Sequence, residues 1–324
     1  MSLQKSLIGL IFEEYSQAQS HFPLETKKSM NAKNPYCGQN YLVIDLSCGA
    51  HASRYSIRYT DDEPKVADNA CKSSELWLRR IPAGSFMMGS PQNERGRADD
   101  EVQHQVTLTR NYYIGIFPCT QRQYELVMGK TPSFFKGDDR PVEQVSYDDL
   151  RGEDRGSKWP EDADVDEVSF FGRLQATIGL AFDLPTEAEW EYACRAGTTT
   201  SLNSGKNLTS VRKSCRNLDA LGWYNMNSDN TTHPVGKKKA NAWGLYDMHG
   251  NVYEWCLDWL DKYPNTAVEN PQGGQSSEYS ILRVSRGGCW YWGHEAAFCR
   301  SASRNANCSS DRLDTTGFRV SWRP

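Results

Sequence analysis

RGGCWYWGHEAAFCRSASRNANCSSDRLDTTGFRVSW, residues 286–322, opens and closes like a β-sheet protein and reads differently in between. Upstream, ILRVSRGG (281–288), and downstream, GFRVSW (317–322), alternate β-branched or aromatic residues with polar ones, the pattern of short strands. The middle has no period. Tyr, Trp, Phe, His, Ser, Ala, Gly and Thr follow one another in a way that neither a strand nor a helix demands. Rigid rings that bury area, mixed with small adaptable polar residues, are the composition of a recognition loop. The stretch is therefore expected to be a loop-rich insertion stretched between two anchors on a sheet.

Further upstream, two helices announce themselves by their ends. In CTQRQYELVMG (119–129), Thr120 and Gln123 have capping-box spacing and Gly129 supplies a stop. In LPTEAEWEYACRAG (184–197), Thr186 and Glu189 repeat the device, with acidic residues at the positive end of the helix dipole and Gly197 at the other. DEVSFFGRLQATIG (166–179) offers a weaker amphipathic pattern through Val168, Phe171, Leu174 and Ile178, closed by Gly179. LWLRRIPAGSFMMGS (76–90) reads strand, turn, strand, and HQVTLTRNYYIGIFP (104–118) alternates with period two. Residues 198–280 are turn-rich, and long irregular loops of this kind need a functional reason or a bound ion to order them. Residues 1–75 differ in texture: a helix is expected around LIGLIFEEYSQ (7–17), with strands in NYLVIDL (40–46) and SRYSIRYT (53–60). They are read as an N-terminal extension or small subdomain, followed by one main domain over 76–324.

Composition narrows the function. The 324 residues carry a net charge of −4, and no Lys/Arg block is interleaved with aromatics, so the footprint of a nucleic-acid binder is missing. GKKKA (236–240) is read as a solvated turn. The apolar run Leu7–Phe12 is too short to span a membrane. Ten cysteines form no CxxC pair and no zinc ladder. The three before residue 75 allow one bridge, which favours an oxidising compartment; buried free thiols are the alternative, preferred for Cys194 and Cys256.

IPAGSFMMGS, HQVTLTRNYYIG, PVEQVSYDD, LPTEAEWEYACRAG, NAWGLYDMHGNVYEWCLDW, RGGCW and GFRV follow one another in the order of the formylglycine-generating enzyme (sulfatase-modifying factor) superfamily, which residues 76–324 resemble. The resemblance implies an α+β, C-type-lectin-like fold with short strands, two main helices and extensive irregular loops. It also implies a structural calcium site on Asp247, Gly250, Val252 and Glu254, the middle two through their carbonyls. Two carboxylates around a Gly-Asn turn suit a hard cation; the competing reading has Asp247 capping a turn and Glu254 paired with an arginine. No other cofactor is required.

Catalysis in this superfamily resembles a copper-thiolate oxidation by two cysteines at the fourth and ninth positions after the RGG. Those positions hold Trp292 and Ala297 here. Anchoring on Phe298–Arg300 instead makes Cys299 the second cysteine and His294 the first. Neither alignment provides the thiolate pair that Cu(I) needs, so the chain is expected not to be an enzyme. Cys289 and Cys299, ten apart, could substitute; a disulfide or two separately buried thiols is the alternative. The six histidines form no helix-spaced pair, so the iron-dependent branch lacks its ligands too.

One non-catalytic branch is similar: the variable proteins of diversity-generating retroelements, in which the end of the lectin-like domain is rewritten while its frame is kept. That likeness implies a hypervariable ligand-binding protein with a variable region at about 287–320, no nucleic-acid partner and no direct membrane span. Its partner is a protein or other macromolecule at a cell surface. The place is cell-surface or extracellular, and a lipid anchor on a segment outside this chain is compatible with it. The implied contact positions are Tyr291, Trp292, Gly293, His294, Glu295, Ala297, Phe298, Ser303, Asn305, Ala306, Asn307, Ser309, Ser310, Leu313, Asp314, Thr315 and Thr316. Tyr291, Trp292 and Phe298 are the anchors; His294 and Glu295 add polar specificity. Trp290, Arg300, Asp311 and Arg312 are scaffolding, with an internal Arg-carboxylate pair holding the loop. The alternative is a metal-dependent oxidase or oxygenase acting on thiol-containing peptides through Cys289 or Cys299.

Overall fold

Alternation in the strands explains the layering. The computed structural model describes residues 38–154, 156–274, 282–291, 293 and 295–324. Its largest sheet has the order β2-β1-β3-β6-β13-β7, built from β1 (Tyr41–Asp45), β2 (Ser56–Thr60), β3 (Glu75–Ile81), β6 (Tyr112–Gly115), β7 (Phe182–Asp183) and β13 (Ser321–Trp322). Leu42, Ile44, Leu76, Leu78 and Tyr113 point to one face, against α1 (Gln121–Met128), α2 (Tyr147–Arg151) and α3 (Phe170–Ile178). Tyr41, Val43, Trp77, Ile81, Tyr112 and Ile114 point to the other, against α4 (Glu187–Arg195). β1, β3 and β6 thus bury both faces, as their near-continuous apolar runs require, whereas the edge strand β2 is largely open to solvent.

The boundary expected at residue 75/76 falls inside this sheet. β1 pairs with β2 on one side and with β3 on the other, Leu42 opposite Leu78 and Ile44 opposite Leu76. The described residues belong to one compact unit beginning at residue 36, so residues 41–60 are part of the core, not an extension. Their polar flanks suggested a separate piece, but pairing across some thirty residues carries no local signature. The helix expected at 7–17 lies outside the described residues.

The caps fall where the sequence placed them. Thr120 with Gln123 and Thr186 with Glu189 make reciprocal capping boxes, and Gly129 ends α1 in the left-handed region. α4 ends one residue earlier than expected, on Ala196 with φ +45°. Among the described residues α3 is as long as α4, so the weaker amphipathic pattern also forms a full helix; it is capped by Ser169, and Val168 is 75% exposed outside it.

Among the described residues two smaller sheets lie beside the large one. β4 (Gly84–Met88), β5 (His104–Leu108) and β9 (Val268–Glu269) form one. The other has the order β11-β10-β8-β12, from β8 (Tyr253–Trp259), β10 (Leu282–Arg286), β11 (Arg304–Cys308) and β12 (Thr316–Phe318). GFRVSW splits between β12, parallel to β8, and β13 in the large sheet, so this one hexapeptide ties two sheets together. No helix among the described residues is long and apolar enough to cross a membrane.

Candidate functional site

The filling of the opening stretch is more regular than its sequence suggested. Residues Ala296–Cys299 form a 3-10 turn, and Arg304–Cys308 form β11, an edge strand antiparallel to β10 with Asn305 opposite Ser285 and Asn307 opposite Arg283. The ladder is made by main-chain groups, so β11 forms without β-propensity in its side chains. Asn305 and Asn307 both donate from Nδ2 to Ser285 Oγ, at 2.9 and 3.4 Å.

Three buried arginines hold the segment. Arg300, 1% exposed, meets Glu101 through both terminal nitrogens (2.5 and 2.7 Å) and Glu94 at 2.7 Å. Arg304 grips both oxygens of Glu187 at 2.7 and 2.9 Å, with its guanidinium 4.0 Å from the Tyr263 ring centre. Arg286 donates to the carbonyls of Ser301, Ala302 and Ser303 and pairs with Glu191. Forked guanidinium geometry makes each a directional clamp. The expected Arg-carboxylate holder is therefore present three times. Its acidic partners Glu94, Glu101, Glu187 and Glu191 were not legible beforehand, because they lie some 90 to 210 positions away in the chain.

Main-chain bonds fix the rest. Ser301 N–H donates to Ser201 O, Gln144 N–H to Leu313 O, Tyr253 N–H to Thr315 O and Asp148 N–H to Ser309 O. His249 is buried; its Nε2 accepts from Asn203 N–H at 3.0 Å and its Nδ1 lies 2.7 Å from Cys299 O, which assigns the proton to Nδ1. Burial lowers its pKa to about 4, so it stays neutral. Trp290 is 5% exposed: its indole donates to Asp314 O at 2.9 Å, its carbonyl accepts from Ser228 Oγ, and its ring meets Phe135 edge-on at 4.9 Å. Asp311 accepts from Cys308 N–H, and Arg312 chelates Asp149 at the surface. All four expected scaffold residues are thus engaged with the frame.

The expected contact positions separate clearly. Gly293, Phe298 and Ser310 are exposed, and Tyr291, Glu295, Ala297, Asn305, Ala306, Asn307, Ser309, Leu313, Asp314 and Thr315 are partly so. Glu295 pairs with Arg212 at 3.0 Å, and Ser309 Oγ bonds to Asp148 at 3.2 Å. Two are corrected: Ser303 (6% exposed) lies beneath the clamp of Arg286, and Thr316 (0%) begins the buried strand β12. Neither can reach a ligand. Trp292 and His294 lie outside the described residues. Phe134, 66% exposed, was not singled out; it stacks edge-on against Phe135, which in turn meets Trp290.

The carboxylates of the implied calcium site are not an open pair. Glu254 accepts from Arg319 at 2.7 and 2.9 Å and from Trp190 Nε1 at 2.7 Å, so the arginine pairing is the one present. Gly250 O accepts from Val252 N–H at 3.1 Å. Asp247, at φ +56°, accepts from Gly236 N–H at 2.7 Å; burial pushes its carboxyl up to about 6, and its Oδ1 has no partner. Among the described residues no group of His, Cys, Asp and Glu converges in metal-binding geometry. A buried guanidinium on Glu254 opposes a divalent cation there, so these residues do not fit calcium.

The described cysteines are free thiols, including Cys48, Cys71 and Cys119, so the bridge expected among the early cysteines is not made by Cys48 and Cys71. Cys289 and Cys299 are each 1% exposed; burial pushes the first up to about 12 and the second higher still. Buried neutral thiols are poor metal ligands and poor nucleophiles. Lys238, expected in a solvated turn, instead lies with its ammonium 3.7 Å from the Trp223 ring centre.

This fold, with its curled sheets and ordered C-terminal loops, is that of a known family: residues 63–324 match the sulfatase-modifying factor enzyme 1-like domain, and the chain belongs to it. Within that family it is similar in shape to Treponema denticola variable protein 1, with a TM-score of 0.62 and 28% identity over 78% of this chain and 96% of that one. It is also similar to PvdO from Pseudomonas aeruginosa, with a TM-score of 0.60 and 29% identity over 81% and 100%. In sequence it is 34% identical to the chaperone protein LppX of Paenibacillus barcinonensis, over 57% of this chain and 71% of that protein. It is 42% identical to a formylglycine-generating enzyme of Mycobacterium tuberculosis, over 42% and 49%. Against the serine/threonine-protein kinase pkn1 of Chlamydia caviae the match spans 81% of this chain but 40% of the kinase.

Proposed function

We propose that the chain is a non-enzymatic, hypervariable ligand-binding protein of the diversity-generating-retroelement type, which presents the side chains of residues 291–315 to a protein ligand at a cell surface. One observation carries the reading. The backbone of this segment is anchored by main-chain bonds and by Arg286, Arg300 and Arg304, whose carboxylate partners all lie outside the segment. Such a segment tolerates rewriting, and a stiff backbone keeps the ordering cost of binding small. The likeness to a treponemal variable protein supports it. No metal is assigned to Asp247 and Glu254, where Arg319 supplies the countercharge.

A second reading, a metal-dependent oxidase or oxygenase acting on thiol-containing peptides through Cys289 or Cys299, is favoured by the relatives named formylglycine-generating enzymes and by the place of Cys299, whose sulfur packs under Gly288, the neighbour of Cys289. One experiment separates the two. The chain and a version with the exposed side chains of 291–315 exchanged are compared for partner capture from cell surfaces, alongside Cu(I) titration and oxygen uptake. Different partners for the two versions, with no copper-dependent turnover, is the expected result. Stoichiometric copper uptake with turnover, unaffected by the exchange, would refute it.

A further inference from the structure

A cavity of about 280 Å³ lies away from the variable segment, at the N-terminal end of α4. Its wall includes Leu108, Arg110, Tyr112, Trp159, Glu189 and Arg323, and none of its lining residues lies in 287–320. The volume is at the lower edge of that of small-ligand clefts, about 300 Å³.

The polar groups of this wall are donors in excess. Trp159 is 7% exposed, and its indole N–H is buried with no acceptor, an arrangement that costs free energy unless something supplies an oxygen. Arg323 spends Nε and Nη2 on Glu189 and on Leu184 O, while its Nη1 meets no acceptor among the described residues. Arg110 is exposed and has no ion-pair partner among them. Two arginines against the single carboxylate of Glu189 leave the wall one positive charge in excess. Two further carboxylates influence Arg323: Asp183 is paired with Arg151 at 2.8 Å, and Asp258 is pushed up to about 7 by burial, so neither cancels that excess in mildly acidic solution. Leu108, Tyr112 and Pro271 supply apolar surface between the donors.

We propose that this cavity binds a small monoanionic carboxylate carried on an apolar body, received by Arg110, the Nη1 of Arg323 and the indole N–H of Trp159. The single excess charge suits a monoanion better than a phosphate dianion, and a planar carboxylate matches a guanidinium edge. The inference is independent of the variable-segment reading, since no lining residue is shared.

Calorimetric titration of the full chain with phenylacetate, phenylacetamide and inorganic phosphate tests it. Phenylacetate is expected to saturate one site, and the neutral amide to bind at least about tenfold more weakly, the scale of a lost charge-assisted hydrogen bond. Arg110→Gln, which breaks no internal contact of the described residues, is expected to weaken phenylacetate by about tenfold. Trp159→Phe is expected to weaken it several-fold without lowering the melting temperature, because it deletes an unsatisfied donor. No saturation at millimolar phenylacetate, tighter binding of phosphate, or unchanged affinity in Arg110→Gln would each overturn the proposal.

Discussion

Replacing Arg300 with methionine tests the frame at its most heavily loaded point. The side chain keeps much of the arginine's apolar stem but removes the guanidinium that serves Glu101 and Glu94, which are 1% and 3% exposed at their side chains. Removing one partner of a buried pair typically costs about 3 to 5 kcal/mol, because the remaining charge stays dehydrated. Here two carboxylates are stranded, so the loss is expected at the upper end, about 4 to 5 kcal/mol at pH 7.5. Burial already raises the Glu94 pKa despite Arg300, and removing the arginine takes away the contact that opposes that rise. The part of the deficit due to Glu94 is therefore full above its folded-state value and shrinks as pH falls below it, by up to about 1.4 kcal/mol per pH unit. Urea unfolding between pH 5 and 8 measures it, and adding Glu94→Gln and Glu101→Gln is expected to recover much of the loss. A penalty below about 1 kcal/mol, or one that does not change with pH, would refute the idea that this pair is dehydrated and holds the segment.

Gly288 sits at φ +78°, and a Cβ there would lie 2.5 Å from Cys299 Sγ and 2.9 Å from its Cα; Gly288→Ala is expected to cost about 2 to 4 kcal/mol in chemical unfolding. Glu143 accepts Phe135 N–H at 2.9 Å, its Oε2 is buried without a partner, and burial pushes it up from 4.5 to about 7. Because the folded value is raised, its contribution is full below about 4.5 and is lost as pH rises through about 7. Glu143→Gln should thus match the parent near pH 4.5 and exceed it by about 1 to 2 kcal/mol at pH 8, discounting a ceiling of about 3.4; an unchanged difference across that range in thermal melts would contradict this. Thiol labelling should modify the exposed Cys48 at once and Cys289 and Cys299 only on unfolding. Rapid native labelling of those two would instead favour the oxidase reading.

Local chemistry made much of this molecule readable from its sequence. Capping boxes at Thr120 and Thr186, the left-handed stop at Gly129 and the alternating strands at 104–115 are all set within a few residues, and all are present. What depends on distant partners was not readable. β1 and β2 looked like an extension because β3, the strand on the other side of β1, starts fifteen residues after β2 ends. β11 looked like loop because an edge strand needs only its neighbour's main chain, and Ser303 and Thr316 looked exposed because nothing local marks the clamp above one or the sheet around the other. Glu254 offered two readings, calcium or arginine, and the arginine lies 65 positions away.

On the proposed function, the frame keeps the backbone of 291–315 in place whatever side chains it carries. A saturation scan of residues 286–322, read out by protease resistance of the displayed chain, measures this most directly. Near-parental resistance is expected for most substitutions at Tyr291, Glu295, Ala297, Phe298, Ser310 and Leu313, and loss at Arg286, Trp290, Arg300, Arg304 and Arg319. Comparable sensitivity in the two groups would contradict it.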